Sequence, residues 1–419
     1  MPAVLGGGLI VLLIIGVPIG IAIGLTSIIS LVMFTDVPLE IAAQRLISGV
    51  RSFPLLAIPL FILAGSIMNA GGVTQRLIDF AYALIGQMRG ALAGVTVITN
   101  MIFGGISGSA VADASSVGRL LIPQMLKRGY PAGMAASVSS TASTIALILP
   151  PSITMIIYGV TAEVSISALF FHGLYIGLGF GLVYILTGYI VARVMKLPSE
   201  KRASAKELWV SFRRAAPALL IPVAVLGGIR LGIFTATEGG AVAVAIALFL
   251  GLVVYRELTP TTVHKALHDS AILVAAIMLI IAMSQIYSWA LTTGGVAQTI
   301  TDAVLGITTE MIAILLLVNV LLLLVGTVVE GNAAIILFTP ILLPIVTSVG
   351  VDPVHFGLII VINLAIGLIT PPAGICLLIG CKIAGIPMEK SLRDLLPWLL
   401  VSIALLLTVT YTPLIFGWY

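Results

Sequence analysis

Apolar runs of about 20 residues recur along the whole sequence, and a helix of that length can cross a hydrocarbon core about 30 Å thick. Hydrophobic residues make up 60% of the chain and charged residues only 9%, whereas soluble domains carry about 25% charged residues. Because the runs are continuous and do not alternate with polar residues, they argue against an outer-membrane barrel. The sequence predicts an all-α polytopic membrane protein. The small net charge of +4 indicates basic loops on one side of a bilayer and no nucleic-acid surface.

The two halves of the sequence share features in the same order. Residues 71–79 match residues 294–302 through the pattern Gly-Gly-Val-x-Gln-x3-Asp, and residues 150–159 match residues 371–380 through a Pro-Pro pair. Between these matches, each half also has a glycine-rich interruption of one apolar run. A repeat of this kind predicts two structurally equivalent halves.

A basic segment at residues 193–214 separates the halves, and the positive-inside rule predicts that it is a cytoplasmic linker. Residues 1–192 then form the first repeat and residues 215–419 the second. With the linker inside, a re-entrant hairpin at about 91–126 enters from the cytoplasm, and one at about 311–346 enters from outside. The sequence thus predicts an inverted repeat, which is a recurrent architecture of secondary transporters.

Each half also carries a Pro-Pro pair inside an apolar run, at residues 150–151 and 371–372. Proline lacks an N–H and clashes with the preceding turn, so a pair should end a helix and free the carbonyl groups before it. Freed carbonyls and Ser or Thr hydroxyls are oxygen ligands that suit Na⁺. For either pair alone, a kink that aids packing is an equal alternative, but the duplication favours a binding role.

Two sodium sites are therefore predicted where the hairpin tips meet these breaks. The first is expected to use Ser107, Ser109, Ala146, Leu149 and Pro151. The second, by symmetry, is expected to use Gly326, Glu330, Gly331, Gly367, Thr370 and Pro372. Half-helix N-termini carry positive partial charge that suits an anionic substrate. The residues expected to contact that substrate are Asp113, Arg119, Ser152, Asn332 and Gly374.

Several ionisable residues in apolar surroundings have more than one interpretation. Asp113 is as well suited to supporting the hairpin through hydrogen bonds as to contacting a ligand. Glu330 fits a ligand, a proton carrier or a support of the second tip. Arg119 fits a counter-charge for the substrate or a side chain that extends to the cytoplasmic interface. For Glu238 we expect a capping role, with Thr237 as the N-cap of the following helix.

An enzymatic alternative rests on residues 105–108, a Gly-x-Ser-Gly pattern similar to that of the rhomboid intramembrane proteases. Ser107 would be the nucleophile and His172, on a later span, its base. This pattern is common in glycine-rich sequences and leaves the repeat unexplained, so no enzyme activity is predicted. Cys376 and Cys381 are five residues apart in one apolar run and are expected to be small packing residues.

Four segments together resemble the M subunit of tripartite ATP-independent periplasmic (TRAP) transporters, and the similarity extends from end to end. They are residues 52–65, 107–113, 150–152 and 367–372. The resemblance implies a Na⁺/organic-anion symporter of the bacterial inner membrane that works as an elevator. It also implies sodium ligands on the first hairpin and the first Pro-Pro segment, with the second pair of segments supplying another site.

The resemblance further implies two protein partners and a substrate class. The partners are a periplasmic substrate-binding protein and a small Q subunit, which is expected as a separate chain because Met1 opens directly onto the M region. The implied substrate is a small carboxylate such as sialic acid, a C4-dicarboxylate or a keto acid. Family members often carry Asp where Glu330 stands, so the second tip is a poor guide to the substrate. The alternative is a stand-alone Na⁺- or H⁺-coupled dicarboxylate carrier.

Overall fold

The computed structural model describes residues 1–197 and 203–416, and every regular element in that part of the chain is a helix. The α-helices are α1 (Leu9–Ile14), α2 (Ile19–Phe34), α3 (Leu39–Val50), α4 (Ala57–Ala70), α5 (Val73–Ile85), α6 (Ala91–Ser107), α7 (Ala110–Lys127), α8 (Ala132–Ser143), α9 (Ile145–Ile148), α10 (Ile153–Thr161), α11 (Ile166–Val194), α12 (Ala205–Arg230), α13 (Ala236–Phe249), α14 (Pro260–Thr293), α15 (Val296–Leu305), α16 (Met311–Gly326), α17 (Gly331–Ser348), α18 (Pro353–Gly367), α19 (Ile375–Ala384) and α20 (Leu392–Phe416). Short π-helical turns at Ala3–Gly8 and Leu250–Val254 and 3-10 turns at Phe53–Leu56 and Met388–Ser391 complete the set.

The helices of the described residues are long and apolar enough for a protein that crosses the membrane many times. Seven of them meet this condition, among them α11, α12, α14 and α20. An eighth span would be α8–α9 together with α10, a pair that bends by 41° at the first Pro-Pro pair. The prediction of an all-α polytopic membrane protein is confirmed.

The repeat seen in the sequence is also present as local geometry. Gly72 and Gly295 both have a left-handed backbone, with φ of 70° and 63°, and each immediately precedes an amphipathic helix, α5 or α15. Glycine adopts this conformation without steric cost. Inside each helix a glutamine amide donates to the aspartate four residues later, at 2.9 Å in α5 and 2.8 Å in α15. The matching sequence patterns therefore fold in the same way.

Two helical hairpins, α6–α7 and α16–α17, occupy the predicted positions, and the long helix α11 shows that they enter from opposite ends. Near its C-terminal end, Ala192 packs so closely on Gly90, at the base of the first hairpin, that a methyl group on the glycine would overlap it. Near its N-terminal end, Leu169 packs on Gly357, which lies in α18 just after the second hairpin. Positions 169 and 192 are about 35 Å apart at 1.5 Å per residue, roughly one hydrocarbon thickness. The hairpins form the predicted inverted pair.

The basic segment at residues 193–214 is more helical than the predicted linker. Helix α11 extends into its start, and α12 takes up its last ten residues. Ser204 and Glu207 begin α12 with reciprocal hydrogen bonds of 3.2 and 2.7 Å, a capping box that starts a helix within a charged sequence. Residues 198–202 of the segment lie outside the described residues. The boundaries of the two repeats and the cytoplasmic side of the linker stay predictions.

Glu238 caps α13 as expected, but its partner differs from the prediction. The N-cap is Thr235, whose hydroxyl accepts from Glu238 N at 3.3 Å and whose N–H donates to Glu238 Oε2 at 2.7 Å. The prediction of Thr237 as the N-cap was wrong, because a capping box needs the threonine three residues before the glutamate. Thr237 instead donates its hydroxyl to Phe53 O at 3.2 Å and ties α13 to the turn before α4.

Candidate functional site

The tip of the first hairpin consists of Ser107, Gly108 and Ser109. Gly108 has a φ of 60°, a left-handed conformation that suits glycine and ends α6. Ser109 starts α7 as its N-cap, with its hydroxyl accepting from Ala112 N at 3.4 Å. The glycine-rich sequence thus places two serine hydroxyls at the tip, and the hydroxyl of Ser109 holds the second arm.

Asp113 lies one turn beyond this tip and is fully buried. Its Oδ1 accepts a short hydrogen bond from the Ser107 hydroxyl, whereas its Oδ2 has no hydrogen-bond partner among the described residues. Leaving a buried polar oxygen unpaired costs about 1–3 kcal/mol. The oxygen faces the contact between Gly104 and Ala146, since a methyl group on Gly104 would lie 3.0 Å from it and against Ala146. Asp113 therefore supports the tip and keeps one oxygen available.

The same tip packs against the first Pro-Pro break, which separates α9 from α10. A methyl carbon added at Gly105 would lie 3.3 Å from Pro150 O, and one added at Gly108 would lie 2.8 Å from Pro151 O. Leu149 is in contact as well, with Cδ2 3.7 Å from the position of a methyl on Gly105. Carbonyl oxygens of the break therefore lie beside the tip. The structure brings together all the residues predicted for the first sodium site.

The break itself is held open by its own side chains and backbone. Leu149 ends α9 in an extended conformation, with ψ of 123°, as expected for a residue before proline. Ser152 starts α10, and its hydroxyl donates to Leu147 O at 2.6 Å and accepts from Met155 N at 3.3 Å. The hydroxyl of Ser152 is thus used in the break, and its predicted contact with substrate stays a prediction.

The second hairpin meets the second Pro-Pro break in the same way. Gly326, at the end of α16, packs backbone against backbone on Gly367, at the end of α18. Thr327 O accepts a hydrogen bond of 3.1 Å from Ala373 N inside the break. Thr370 donates its hydroxyl to the preceding helical turn at 2.8 Å. The contact between the two glycines leaves no room for a side chain on Gly367, because a methyl carbon there would overlap the carbonyl carbon of Gly326.

Glu330 begins α17 as its N-cap. Its Oε2 accepts from Ala333 N at 3.2 Å and its Oε1 from Asn332 Nδ2 at 2.9 Å, so both oxygens have protein partners, unlike those of Asp113. Asn332 in turn accepts through Oδ1 from the Thr154 hydroxyl at 3.2 Å. Since Thr154 belongs to α10, the second tip also contacts the helix after the first break. Each tip therefore meets a break, as predicted, and the contact of Asn332 with Thr154 also joins the two pairs of segments.

A second contact between the halves lies close by, at the start of α19. Gly374 precedes this helix with a φ of 34°, and a methyl group on it would lie 3.2 Å from Thr370 O. Two residues later, Cys376 O accepts from the Ser140 hydroxyl of α8 at 2.8 Å. Cys376 and Cys381 are buried free thiols, in agreement with their predicted packing role.

A cavity of about 440 Å³ lies between the first hairpin and helices α4 and α14, within the size range of small-molecule sites. Its hydroxyl and amide lining residues are Ser66, Asn69, Thr74, Gln75, Ser107, Ser109, Ser115 and Ser116. Arg119 is the one charged side chain among the described residues that line it. A cavity with one cation and many hydrogen-bonding groups suits a small polar anion.

Sequence reasoning did not identify the wall of this cavity that faces the hairpin. Ser66 and Asn69 are three residues apart and share one face of the apolar helix α4. Thr74 donates its hydroxyl to Asn69 Oδ1 at 3.1 Å. Gln75 also lines this wall, although the sequence indicated it only as part of the repeat. The spacing of polar residues on one face of an apolar helix was the signal that could have indicated them.

The residues predicted to contact substrate separate into two groups. Arg119 lines the cavity, together with the tip serines Ser107 and Ser109. The remainder lie elsewhere in the hairpins and breaks and are absent from the lining among the described residues: Asp113, Ser152, Asn332 and Gly374. The exposed position of Arg119 fits both of its predicted interpretations.

The protease alternative receives no support from the geometry. Ser107 donates its hydroxyl to Asp113, and His172 lines a different cavity of about 630 Å³ with Asp352 and His355. In the described residues no hydrogen bond joins Ser107 to His172. A nucleophile and its base must lie within hydrogen-bond reach, so this pair does not form a catalytic site.

Comparisons with known proteins agree with the geometry. The chain is similar to the isethionate TRAP transporter permease protein DctMQ of Oleidesulfovibrio alaskensis, with 40% identity over 98% of the chain and 65% of that protein. It thus spans less than two thirds of that relative's length. The C4-dicarboxylate TRAP transporter large permease protein DctM of Pseudomonas aeruginosa is 39% identical over 94% of the chain and 92% of that protein.

A solved structure with the same fold is that of the YdaH transporter of Alcanivorax borkumensis. It superposes with a TM-score of 0.62 over 91% of this chain and 89% of that one, at 14% sequence identity. The sequence profile described as the DctM component of the tripartite ATP-independent periplasmic transporters matches residues 7–415. Taken with the hairpins and the broken helices, this match shows that the chain belongs to the DctM family of TRAP transporter large permeases.

Proposed function

We propose that this chain is the large membrane subunit of a sodium-driven TRAP transporter that imports a small organic anion through the bacterial inner membrane. A periplasmic binding protein delivers the substrate, and a small Q subunit completes the membrane complex. The observation that carries the proposal is the buried carboxyl group of Asp113. Its Oδ1 is bonded to Ser107 and its unpaired Oδ2 lies beside the contact between Gly104 and Ala146, while the same hairpin tip packs on the carbonyl groups of the first break.

The first sodium site is proposed at that position. Ser107, Asp113 and the backbone around Ala146, Leu149 and Pro151 supply a hydroxyl, a carboxyl group and carbonyl oxygens, the hard donors that a dehydrated Na⁺ requires. Asp113 thereby moves from the predicted substrate contacts to the ion ligands. A bound cation would satisfy the oxygen that the protein leaves without a partner.

The second sodium site is proposed at the second tip and break. Its residues are Gly326, Glu330, Gly331, Gly367, Thr370 and Pro372. The close contact between Gly326 and Gly367 holds the carbonyl group of Gly326 against the end of α18. The carboxyl group of Glu330 adds negative charge next to them while it caps α17. The duplicated geometry supports this site by analogy with the first.

The substrate site is proposed in the cavity beside the first tip. Arg119 binds the carboxylate or sulfonate of the anion, and the serine hydroxyls and amide groups of the lining bind its other polar atoms. Ser107 of the first tip lines this cavity and also donates a hydrogen bond to the neighbouring Asp113. Sodium binding therefore orders a residue that also faces the substrate, which couples the two ligands.

An elevator motion is proposed for transport, with the hairpins and broken helices moving as one body past α4 and α14. The two bodies meet at a small-residue contact, since a methyl group on Gly65 of α4 would lie 3.0 Å from Ser107 Cα. The cavity shares Gly72 and Gln75 with a groove lined by basic residues, so it opens towards the basic end of the helices. That end is cytoplasmic by the positive-inside rule, which makes this an inward-facing state.

Reconstitution of the chain with its Q subunit and binding protein in liposomes tests the proposal. Uptake of labelled anion should require an inward sodium gradient and should stop when the gradient is collapsed with a sodium ionophore. Uptake should also require the binding protein. Uptake that persists without a sodium gradient would contradict the coupling, and uptake without the binding protein would indicate a stand-alone carrier.

Replacing Arg119 with glutamine should lower the maximal rate of uptake by about 10–100-fold, because a charge-assisted hydrogen bond to the substrate contributes about 1.5–3 kcal/mol. The concentration of loaded binding protein that gives half the maximal rate should stay the same, since Arg119 lies in the cavity. Arg119→Lys should recover part of the rate. Arg193→Gln, at the exposed end of α11, is the control that removes a charge outside the cavity. Equal rates for Arg119→Gln and this control would remove Arg119 from the substrate site.

A further inference from the structure

Two adjoining cavities of about 550 and 280 Å³ lie between α5 and the first turns of α12, next to the substrate cavity. They share Arg76, Asp79 and Arg214 as common walls, and together we name them the α5–α12 groove. Its other ionisable lining residues are Lys206, Glu207, Arg213, Tyr255 and Glu257. The groove is therefore rich in charge, and its function depends on which of these charges are already paired.

The acidic residues of the groove are engaged within the protein. Glu257 Oε1 lies 2.6 Å from Arg76 Nη2 in an ion pair, and the Arg76 guanidinium also lies over the Tyr255 ring at 4.0 Å. Asp79 accepts the amide hydrogen bond inside α5, and Glu207 closes the capping box of α12. Each carboxylate thus has a donor of its own.

Unlike Arg76, which is paired with Glu257, three basic residues of the groove have no carboxylate partner among the described residues. They are exposed, and within residues 1–197 and 203–416 no carboxylate forms an ion pair with them: Lys206, Arg213 and Arg214. They lie within nine consecutive positions at the start of one helix, so their charges add over a short distance. The groove consequently presents a net positive potential to an anion from outside the protein.

The surroundings of the groove indicate the depth at which it lies in the membrane. Trp209 and Phe212 are 59% and 37% exposed on the same turns of α12, with ring centroids 5.8 Å apart. Phe212 also packs on Phe80 of α5 at 5.8 Å. Beyond Arg214 the helix becomes apolar and continues as a membrane span. Exposed aromatic residues beside basic ones at the end of a span are typical of the membrane–water interface.

We propose that the α5–α12 groove binds the phosphate of an anionic phospholipid, with Arg213 and Arg214 as its main contacts and Lys206 at the rim. Basic pockets between transmembrane helices on the cytoplasmic side are suited to anionic headgroups. The exposed apolar surface of α12 next to the groove accommodates the acyl chains, which a free phosphate ion would not need. Trp209 marks the boundary between the headgroup and the chains. The groove adjoins the substrate cavity through Gly72 and Gln75, but its proposed lipid contacts on α12 do not line that cavity.

The double variant Arg213→Gln and Arg214→Gln tests the proposal on the full chain purified in detergent. Native mass spectrometry with added phosphatidylglycerol should show an affinity about 25-fold lower than that of the wild type, because each basic residue near an anionic lipid contributes about fivefold. Replacing both arginines with lysine should retain most of the affinity. Phosphatidylcholine, which is zwitterionic, should bind weakly to all three proteins.

A matched control is the double variant Arg193→Gln and Lys196→Gln, which removes two exposed charges from the end of α11, outside the groove. It should bind phosphatidylglycerol like the wild type. Inorganic phosphate at the same concentration as the lipid should not displace phosphatidylglycerol from the wild-type protein. Displacement would identify a free-anion site and overturn the lipid assignment. Equal losses in the two glutamine variants, or no loss in either, would also overturn the proposal. Thermal unfolding of each variant confirms that folded protein is compared.

Discussion

The Asp113→Asn variant is expected to lose sodium-driven uptake at sodium concentrations that saturate the wild type. Asparagine keeps the size of the side chain and its contact with Ser107, but it removes the negative charge from a fully buried position. Two unit charges 4 Å apart in a medium of effective dielectric 20 interact by about 4 kcal/mol. That energy corresponds to about a thousandfold lower affinity for sodium.

The measurement is the sodium dependence of uptake by the reconstituted complex, with Asp269→Asn as the control. Asp269 is exposed on α14, so its neutralisation should leave the sodium affinity unchanged. The thermal stability of Asp113→Asn in sodium-free buffer should equal or exceed that of the wild type, because the buried unpaired oxygen no longer belongs to a charged group. A wild-type sodium affinity in Asp113→Asn would exclude this residue from the ion site.

The Gly367→Ala variant is expected to have the largest effect on folding. A methyl group at this position would overlap the backbone of Gly326, and no flexible side chain is present that could move aside. The second hairpin would have to separate from the second break, a form of overpacking that costs about 3 kcal/mol. We expect a lower thermal unfolding temperature in detergent and a loss of uptake, because the segments that form the proposed second ion site no longer meet.

The control for this variant is Gly227→Ala in α12. A methyl group at Gly227 would have no neighbour within 4 Å, and alanine is about 1 kcal/mol more favourable than glycine in a helix interior. Its unfolding temperature should therefore be equal to or above that of the wild type. Similar unfolding temperatures for Gly367→Ala and Gly227→Ala would show that the contact between the two glycines is not needed for the fold.

Features that depend on local chemistry could be predicted from the sequence. The hairpin turns at Gly108 and the breaks at the Pro-Pro pairs follow from the backbone preferences of glycine and proline, which act wherever those residues occur. The repeat then required the second tip to resemble the first. Consequently the sequence indicated where the tips and breaks lie, and in the structure the first tip packs against the first break.

Features that depend on packing between distant segments could not be predicted in the same way. The wall of the proposed substrate cavity that carries Asn69 is brought to the first tip by the contact of Gly65 with Ser107, which no local pattern indicates. The two interpretations of Asp113 could not be separated either. Support of the hairpin and contact with a ligand differ in whether Oδ2 of Asp113 has a hydrogen-bond donor within the protein. The presence of such a donor depends on segments that are distant in the sequence.

The hydrogen bond between Thr154 and Asn332 also has a consequence for biosynthesis. Its two residues are 178 positions apart, and the bond between Ser140 and Cys376 spans 236 positions. When the first half leaves the ribosome and enters the membrane, the partners of its polar groups have not yet been made. The hydroxyl groups of Thr154 and Ser140 therefore lack these partners in the membrane until the second half inserts with the opposite orientation. The first half is therefore an incomplete product on its own, and a nascent chain stopped near residue 200 would be recognisable as unfinished by its unpaired polar groups.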